Sequence, residues 1–99
     1  MPRYLVERIV PRAGELTMVE LQAIARQSLR VQQDLEAGIQ WIQSAVSADR
    51  MVCLYIADDE TILREHARRS GLPIQRIYEV SAVFGPMMVD LQQTSDRIG

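Results

Sequence analysis

Apolar and polar positions alternate most regularly between Ile39 and Ala57, in the segment IQWIQSAVSADRMVCLYIA. Two runs of period-two alternation flank a short polar turn at residues 47–50, and this pattern predicts a β-hairpin. Large apolar side chains occur on both faces of each predicted strand. Both faces therefore need a cover, one from the chain's own helices and the other from a partner subunit or a ligand.

Two further segments repeat the alternation and predict two more strands. Residues 3–10 alternate up to Pro11, which ends the strand because proline has no N–H to donate to a ladder. Residues 75–84 alternate again, and the strand ends at Gly85 and Pro86. The hairpin therefore supplies the second and third of four strands in chain order.

Helical spacing occupies the two long gaps between these strands. Thr17 and Glu20 stand in capping-box register before an amphipathic segment that we expect to end at Gly38 as its C′ residue. The acidic pair at residues 58–59 offers N-caps for a second helix, which continues to a predicted end at Gly71.

The predicted order is β-α-β-β-α-β, which is an α+β chain. With right-handed crossovers this order gives the ferredoxin-like arrangement, a four-stranded antiparallel sheet in the order 4-1-3-2 with both helices on one face. We assign residues 1–85 to this domain and residues 86–99 to a C-terminal tail.

The two sheet faces are assigned by apolar content. The more aliphatic positions are expected under the helices, and they are Val6, Val10, Ile42, Val46, Val52, Leu54, Ile56, Val80 and Ala82. The opposite, open face is then expected to carry Leu5, Glu7, Ile9, Trp41, Gln43, Met51, Cys53, Tyr55, Ile77, Glu79 and Ser81.

This open face is the basis of three functional hypotheses. An apolar face of that size predicts a homodimer that packs sheet against sheet. The first hypothesis is that this homodimer binds a ligand or a metal in a small cavity between the paired sheets. Because strands one and four are neighbours, Glu7 and Glu79 are expected to meet at that cavity, where they would bind a metal or share a proton. The enzyme alternative is a small isomerase or monooxygenase-like protein that uses Glu7 or Glu79 as proton carrier. The remaining alternative is an interaction module without a pocket.

Composition and net charge bear on which partners and which cell compartment are expected. The 99 residues carry a net charge of −2, which predicts no general attraction to nucleic acid or to anionic membranes. The start of the chain is charged, no stretch approaches the roughly 20 apolar residues of a membrane span, and Cys53 is the single cysteine. We therefore expect a cytoplasmic protein without disulfides.

Two segments of the sequence resemble nucleic-acid-binding elements, but other residues argue against this function. Trp41 and Tyr55 on one face resemble the stacking platform of RNA-binding sheets, but the carboxylates of Glu7 and Glu79 would repel phosphate. The segment from residue 64 to residue 80 resembles a helix-turn-helix, yet residues 77–84 alternate with period two and therefore favour a strand.

Single residues complete the list of candidates. Candidate ligand contacts are Trp41, Gln43, Cys53 and Tyr55, all placed on the expected open face. His66 is the single histidine, and a packed helical side chain is its more common role, so it is only a weak metal candidate beside Glu7, Glu79 and Gln43. No nucleophile, Walker or dinucleotide motif occurs in the sequence.

Several short motifs in order resemble one family. They are YLVER from Tyr4, WIQS from Trp41, ILREHA from Ile62, SGLP from Ser70 and RIYEV from Arg76. Together they are similar to the small DUF4242 family, over about residues 3 to 83. That family is similar to, and includes, bacterial nickel-binding ferredoxin-like proteins that form dimers. The resemblance implies a homodimeric α/β sandwich or barrel and a divalent transition-metal site, with nickel as the expected ion.

One position departs from the family pattern. The tryptophan segment of the family often reads W-x-H-S, whereas this chain has Gln43 in place of the histidine. Imidazole suits nickel and zinc, and a neutral amide is a poor substitute for it. The nickel expectation therefore depends on Gln43 and on the groups around it.

Overall fold

The computed structural model describes residues 1–36 and 38–87. Its elements, in chain order, are β1 (Arg3–Ile9), a 3-10 turn (Ala13–Glu15), α1 (Met18–Leu35), β2 (Ile39–Val46), β3 (Arg50–Ala57), α2 (Glu60–Ser70) and β4 (Arg76–Val80). The strands form one antiparallel sheet in the order β2-β3-β1-β4. This confirms the predicted ferredoxin-like order 4-1-3-2, and most of the predicted tail 86–99 lies outside the described residues.

The helix starts follow the predicted capping chemistry. The Thr17 hydroxyl accepts from the Glu20 amide at 3.2 Å, and the Glu20 carboxylate accepts from the Thr17 amide at 3.0 Å. The Asp59 carboxylate accepts from the Ile62 amide at 3.0 Å and begins α2. Gly71 ends α2 in the left-handed region with φ 72°.

The predicted end of α1 at Gly38 is wrong. Glu36 takes the left-handed conformation with φ 49°, and its amide donates to the Gln33 carbonyl. Glycine at position 38 is explained by packing, because a Cβ at this position would overlap the Asp58 carboxylate. The absence of a side chain lets the Gly38 carbonyl accept from the Asp58 amide at 2.9 Å, where β2 begins beside the end of β3.

A β-bulge interrupts β2 and changes its facing. Trp41 pairs with Tyr55, but the next paired residue is Gln43, which lies opposite Leu54, so Ile42 is the extra residue. Before the bulge Ile39 and Trp41 share a face, and after it that face is continued by Ser44 and Val46. Strict alternation, which placed Trp41 and Gln43 together, therefore fails at this point.

The predicted facing of β3 is also wrong. Val6, fully buried beneath the helices, pairs with Cys53, and Tyr4 pairs with Tyr55. Directly paired residues lie on one face, so the helix-covered face holds the bulkier, partly polar set rather than the aliphatic one. The buried core residues are Tyr4, Val6, Ile39, Met51, Cys53, Tyr55, Ala57 and Leu63. The open face instead carries Leu5, Glu7, Ile9, Val52, Leu54 and Ile56.

Among the described residues, no helix is both long enough and apolar enough to cross a membrane. The predicted helix-turn-helix alternative is excluded, since Arg76–Val80 form a strand paired with β1.

Candidate functional site

A cavity of about 280 Å³ lies between α1 and the sheet, on the helix-covered face. Its roof is the inner side of α1, formed by Met18, Leu21, Gln22, Ile24, Ala25 and Ser28. Its floor comes from the first three strands, through Arg8, Trp41, Ser44, Val46, Met51, Cys53 and Tyr55, and Leu72, whose carbonyl accepts from Arg8, also lines it. The volume approaches the range of small-molecule sites, and the walls are mainly apolar with a few polar groups.

Arg8 is the one charged residue in this wall, and its side chain is only 1% exposed. Nη1 donates to the Leu72 carbonyl at 2.6 Å, and Nη2 donates to the Tyr55 hydroxyl at 3.1 Å. Nε is buried without a hydrogen-bond partner among the described residues. The alternation of β1 places this guanidinium on the same face as Tyr4 and Val6, so the chain puts a cation into its own core.

No ion pair between described residues involves Arg8. Its two partners, a carbonyl and a phenol, are both neutral. Burying a charge without a counter-ion costs several kcal/mol, on the order of the loss seen when one member of a buried ion pair is removed. Folded proteins accept such a cost where the charge has a binding or catalytic task, so Arg8 marks this cavity as a candidate site.

Tyr55 extends the polar end of the cavity. Its oxygen accepts from Arg8, which leaves the phenolic proton free for donation to a further group. Burial raises the pKa of Tyr55; Arg8 opposes this rise, and the nearby Cys53 thiol adds to it. The phenol is therefore neutral at physiological pH and acts as a hydrogen-bond donor rather than as a base.

His66 supports this polar end from α2. Its Nε2 lies 2.9 Å from the Ser28 carbonyl, and a carbonyl can only accept, so the imidazole proton is on Nε2. The ring also packs edge-on against Tyr55, with centroids 5.8 Å apart. Burial lowers the pKa of His66, the hydrogen bond to Ser28 partly opposes this, and the charge of Arg8 adds a smaller lowering, so the imidazole is neutral.

Three of the four predicted ligand contacts meet in this cavity. Trp41, Cys53 and Tyr55 all line it, but on the helix-covered face and not on the open face where they were expected. Trp41 is oriented by a bond from its indole Nε1 to the Ser44 hydroxyl at 2.9 Å. The fourth, Gln43, lies on the other side of the sheet because the bulge at Ile42 separates it from Trp41.

Gln43 belongs to a groove on the open face. This groove has a volume of about 440 Å³, and its lining residues are Leu5, Gln43, Ser44, Ala45, Val52, Leu54, Val80 and Val83. The lining is aliphatic apart from Gln43 and Ser44. Its character fits apolar packing better than recognition of an ion.

Glu7 and Glu79 do not meet, which contradicts the predicted carboxylate pair. In the β1–β4 ladder Glu7 pairs with Arg76 and Glu79 pairs with Tyr4, so the two carboxylates project from opposite faces. Glu7 is on the open face and lies 3.4 Å from Arg50. Glu79 is on the helix side, beside Tyr4. The pKa of Tyr4 is raised chiefly by burial and then by the negative charge of Glu79.

The described residues do not form a transition-metal site. No group of three or more His, Cys, Asp or Glu side chains comes together in residues 1–36 and 38–87. Gln43 and Glu7 share the open face but lie on strands that β3 separates. His66 uses Nε2 for the Ser28 carbonyl and is 1% exposed. The donor set of one described chain therefore does not fit nickel, which favours imidazole and thiolate ligands that converge.

Arg8 is a candidate site residue that was not predicted from the sequence. Its signal was present, because Arg8 interrupts the apolar side of β1 formed by Tyr4, Val6 and Val10. A charge on the face that the helices cover requires a reason, and this reason can be found only when the facing of β3 is known.

Comparison with known proteins supports the fold and identifies a family. Residues 4–80 match the family described as nickel responsive protein SCO4226-like. The crystal structure of SCO4226 from Streptomyces coelicolor A3(2) is similar with a TM-score of 0.71, covering 83% of this chain and 99% of that one. The sequence identity is 15%, so this likeness shows the fold alone. No functionally curated protein matches the chain.

The family match bears on the resemblance noted from sequence. The relation to nickel-associated ferredoxin-like proteins is confirmed, while the name DUF4242 stays a prediction. The match begins within β1 and ends with the last residue of β4. The chain therefore belongs to the SCO4226-like family of nickel-responsive proteins.

Proposed function

We propose that this protein is a homodimeric small-molecule-binding protein whose ligand occupies the cavity between α1 and the sheet. The observation that supports the ligand site is the cavity itself, about 280 Å³ in volume, apolar along α1 and polar at the Arg8 end. A cavity of about 150 Å³ already holds a benzene ring, so a ligand with two fused rings is a reasonable size.

The homodimer is proposed from the open sheet face. Val52, Leu54 and Ile56 remain only partly covered in the single chain, and Ile9 and Tyr78 beside them are 41% and 42% exposed. A contiguous apolar surface of this kind is typical of an association interface. The ion pair between Glu7 and Arg50 would lie at its polar part, where charged groups are tolerated.

Catalysis by the predicted carboxylates receives no support from this geometry. Neither Glu7 nor Glu79 lines the helix-side cavity or the open-face groove. A proton carrier must lie within hydrogen-bond reach of the reacting atom, and both carboxylates are separated from the cavity that would hold a substrate. Binding is therefore proposed without a reaction. Action in the cytoplasm stays a prediction.

The test of ligand binding uses a neutral apolar probe, N-phenyl-1-naphthylamine, whose fluorescence rises in an apolar site. Trp41 is the single tryptophan and lines the cavity, so energy transfer from it to the probe reports binding to the protein. We expect saturable binding to the full chain. Absence of saturable binding, both of this probe and of the smaller naphthalene probes described below, would contradict the ligand-binding function.

A matched pair of variants locates the probe. Ala25→Leu adds bulk to the roof of the cavity and is expected to weaken probe binding by roughly tenfold, since overpacking costs about 1–3 kcal/mol. Ala23→Leu makes the same change at an exposed position of α1 outside this cavity and should leave binding unchanged. Equal effects of the two variants would place the probe elsewhere.

A further inference from the structure

We propose that the ligand of the helix-side cavity is a small organic carboxylate, whose anionic group compensates the charge of Arg8 and whose apolar body lies beneath α1. This inference rests on the proposed function and gives it a ligand class. It starts from the mismatch between a fully buried cation and its two neutral partners, the Leu72 carbonyl and the Tyr55 hydroxyl.

The donors present at this end of the cavity suit an anion. A guanidinium has five N–H groups in a plane, and only two of those of Arg8 have partners among the described residues. The Tyr55 hydroxyl, which already accepts from Arg8, keeps its own proton to donate. A planar carboxylate matches both the guanidinium fork and a single phenolic donor.

The charge count favours a carboxylate over a phosphate ester. Arg8 is the one cation in the cavity wall, and the imidazole of His66 beside Tyr55 is neutral because burial and Arg8 lower its pKa. A phosphate near neutral pH carries about −1.5 to −2 charges and needs several strong donors. One guanidinium and one phenol balance a single negative charge.

The rest of the cavity describes the body of the ligand. Leu21, Ile24 and Ala25 on α1 face Met51 and Val46 on the sheet across an interior with few polar groups. An apolar ring system gains by leaving water for such a space. The combined pattern, one anion-compatible end and one apolar body, is that of an aromatic or fused-ring carboxylate.

The experiment is isothermal titration calorimetry on the full chain with two probes of one shape. 2-Naphthoate carries the carboxylate, and 2-naphthamide replaces it with a neutral amide of similar size. We expect naphthoate to bind roughly tenfold or more tightly than naphthamide, because charge-assisted hydrogen bonds are stronger than neutral ones. Equal affinities, or tighter binding of the amide, would overturn the inference.

Variants assign the preference to the proposed groups. Arg8→Met is expected to bring the ratio of naphthoate to naphthamide affinity to about one, whereas Arg30→Met, which removes an exposed charge from α1, should keep the wild-type ratio. If Arg8→Met does not fold, Tyr55→Phe keeps the cation and should weaken naphthoate several-fold with little effect on naphthamide. An equal loss for both probes, or an undiminished preference in Arg8→Met, would refute the carboxylate site.

The two proposals fail in different ways. If N-phenyl-1-naphthylamine binds in the cavity while naphthoate shows no advantage, ligand binding stands and the carboxylate class is wrong. If neither the neutral probe nor either naphthalene derivative binds, the ligand-binding function fails and the inference fails with it.

Discussion

The Tyr55 hydroxyl accepts a hydrogen bond from Nη2 of Arg8 at 3.1 Å, inside a core where both side chains are 2% exposed or less. This bond is one of two that hold the buried guanidinium, the other being to the Leu72 carbonyl. The pair therefore contributes to the stability of the empty protein as well as to its proposed anion site.

Tyr55→Phe is expected to destabilise the fold by about 1–3 kcal/mol, because it leaves a second buried donor of Arg8 unsatisfied. Urea unfolding followed by circular dichroism measures the change. Tyr78→Phe is the matched control, since its hydroxyl accepts from Arg76 at the surface and its loss should cost less than about 0.5 kcal/mol. Equal losses for the two variants would refute the assigned role of Tyr55.

Because His66 is buried, we expect the folded protein to lose stability in mild acid. The pKa of His66 in the folded protein is lowered from 6.5, chiefly by burial and to a lesser extent by Arg8, against an opposing rise from the Ser28 hydrogen bond, so the unfolded chain binds a proton more readily. Stability is therefore full above the unfolded pKa and declines as pH falls through about 6.5, since the buried imidazole must remain neutral or be charged beside Arg8. The other groups facing the ring, Tyr55, the Ser28 carbonyl and the Ser70 hydroxyl, do not titrate in this range.

The acid effect of His66 can be separated from that of the carboxylates. Glu65 has a pKa lowered to about 2 by hydrogen bonds from Arg68 and Arg69, and Glu20 also titrates below its ordinary 4.5. Urea unfolding at a series of pH values from 7 down to 5 should show a decline in the wild type. His66→Gln should remove most of this slope while lowering stability at neutral pH. An unchanged slope in the variant would assign the decline to other groups.

The apolar open face of the sheet leads us to expect a dimer. Leu54 lies in the middle of this face, between Leu5 of β1 and Gln43 of β2. In the proposed dimer Leu54→Glu would bury a charge without a partner, so we expect a monomer. Light scattering coupled to size-exclusion chromatography gives the mass directly. Leu29→Glu, at an exposed position of α1, should leave the dimer intact. A wild-type monomer at micromolar concentration would refute the dimer.

The sequence predicted the element order, the sheet order and the caps at Thr17 and Asp59, because local patterns determine these features. It did not predict the two faces correctly. The bulge at Ile42 breaks the alternation without a glycine or proline to mark it. On β3 both faces are apolar, so hydrophobicity alone cannot decide which one the helices cover. The cavity, and the buried charge of Arg8 within it, depend on that tertiary choice.

Nickel is the subject of the last test, because the family is described as nickel responsive. Glu7 and Glu79 lie on opposite sheet faces, so they cannot hold one ion within a chain. We therefore expect Glu7→Gln and Glu79→Gln to leave the heat of nickel titration within about twofold of the wild type, whatever its size. Gln43→His adds an imidazole to the open face and should increase nickel binding if two copies of that face meet. Loss of nickel binding in both glutamate variants would contradict this expectation.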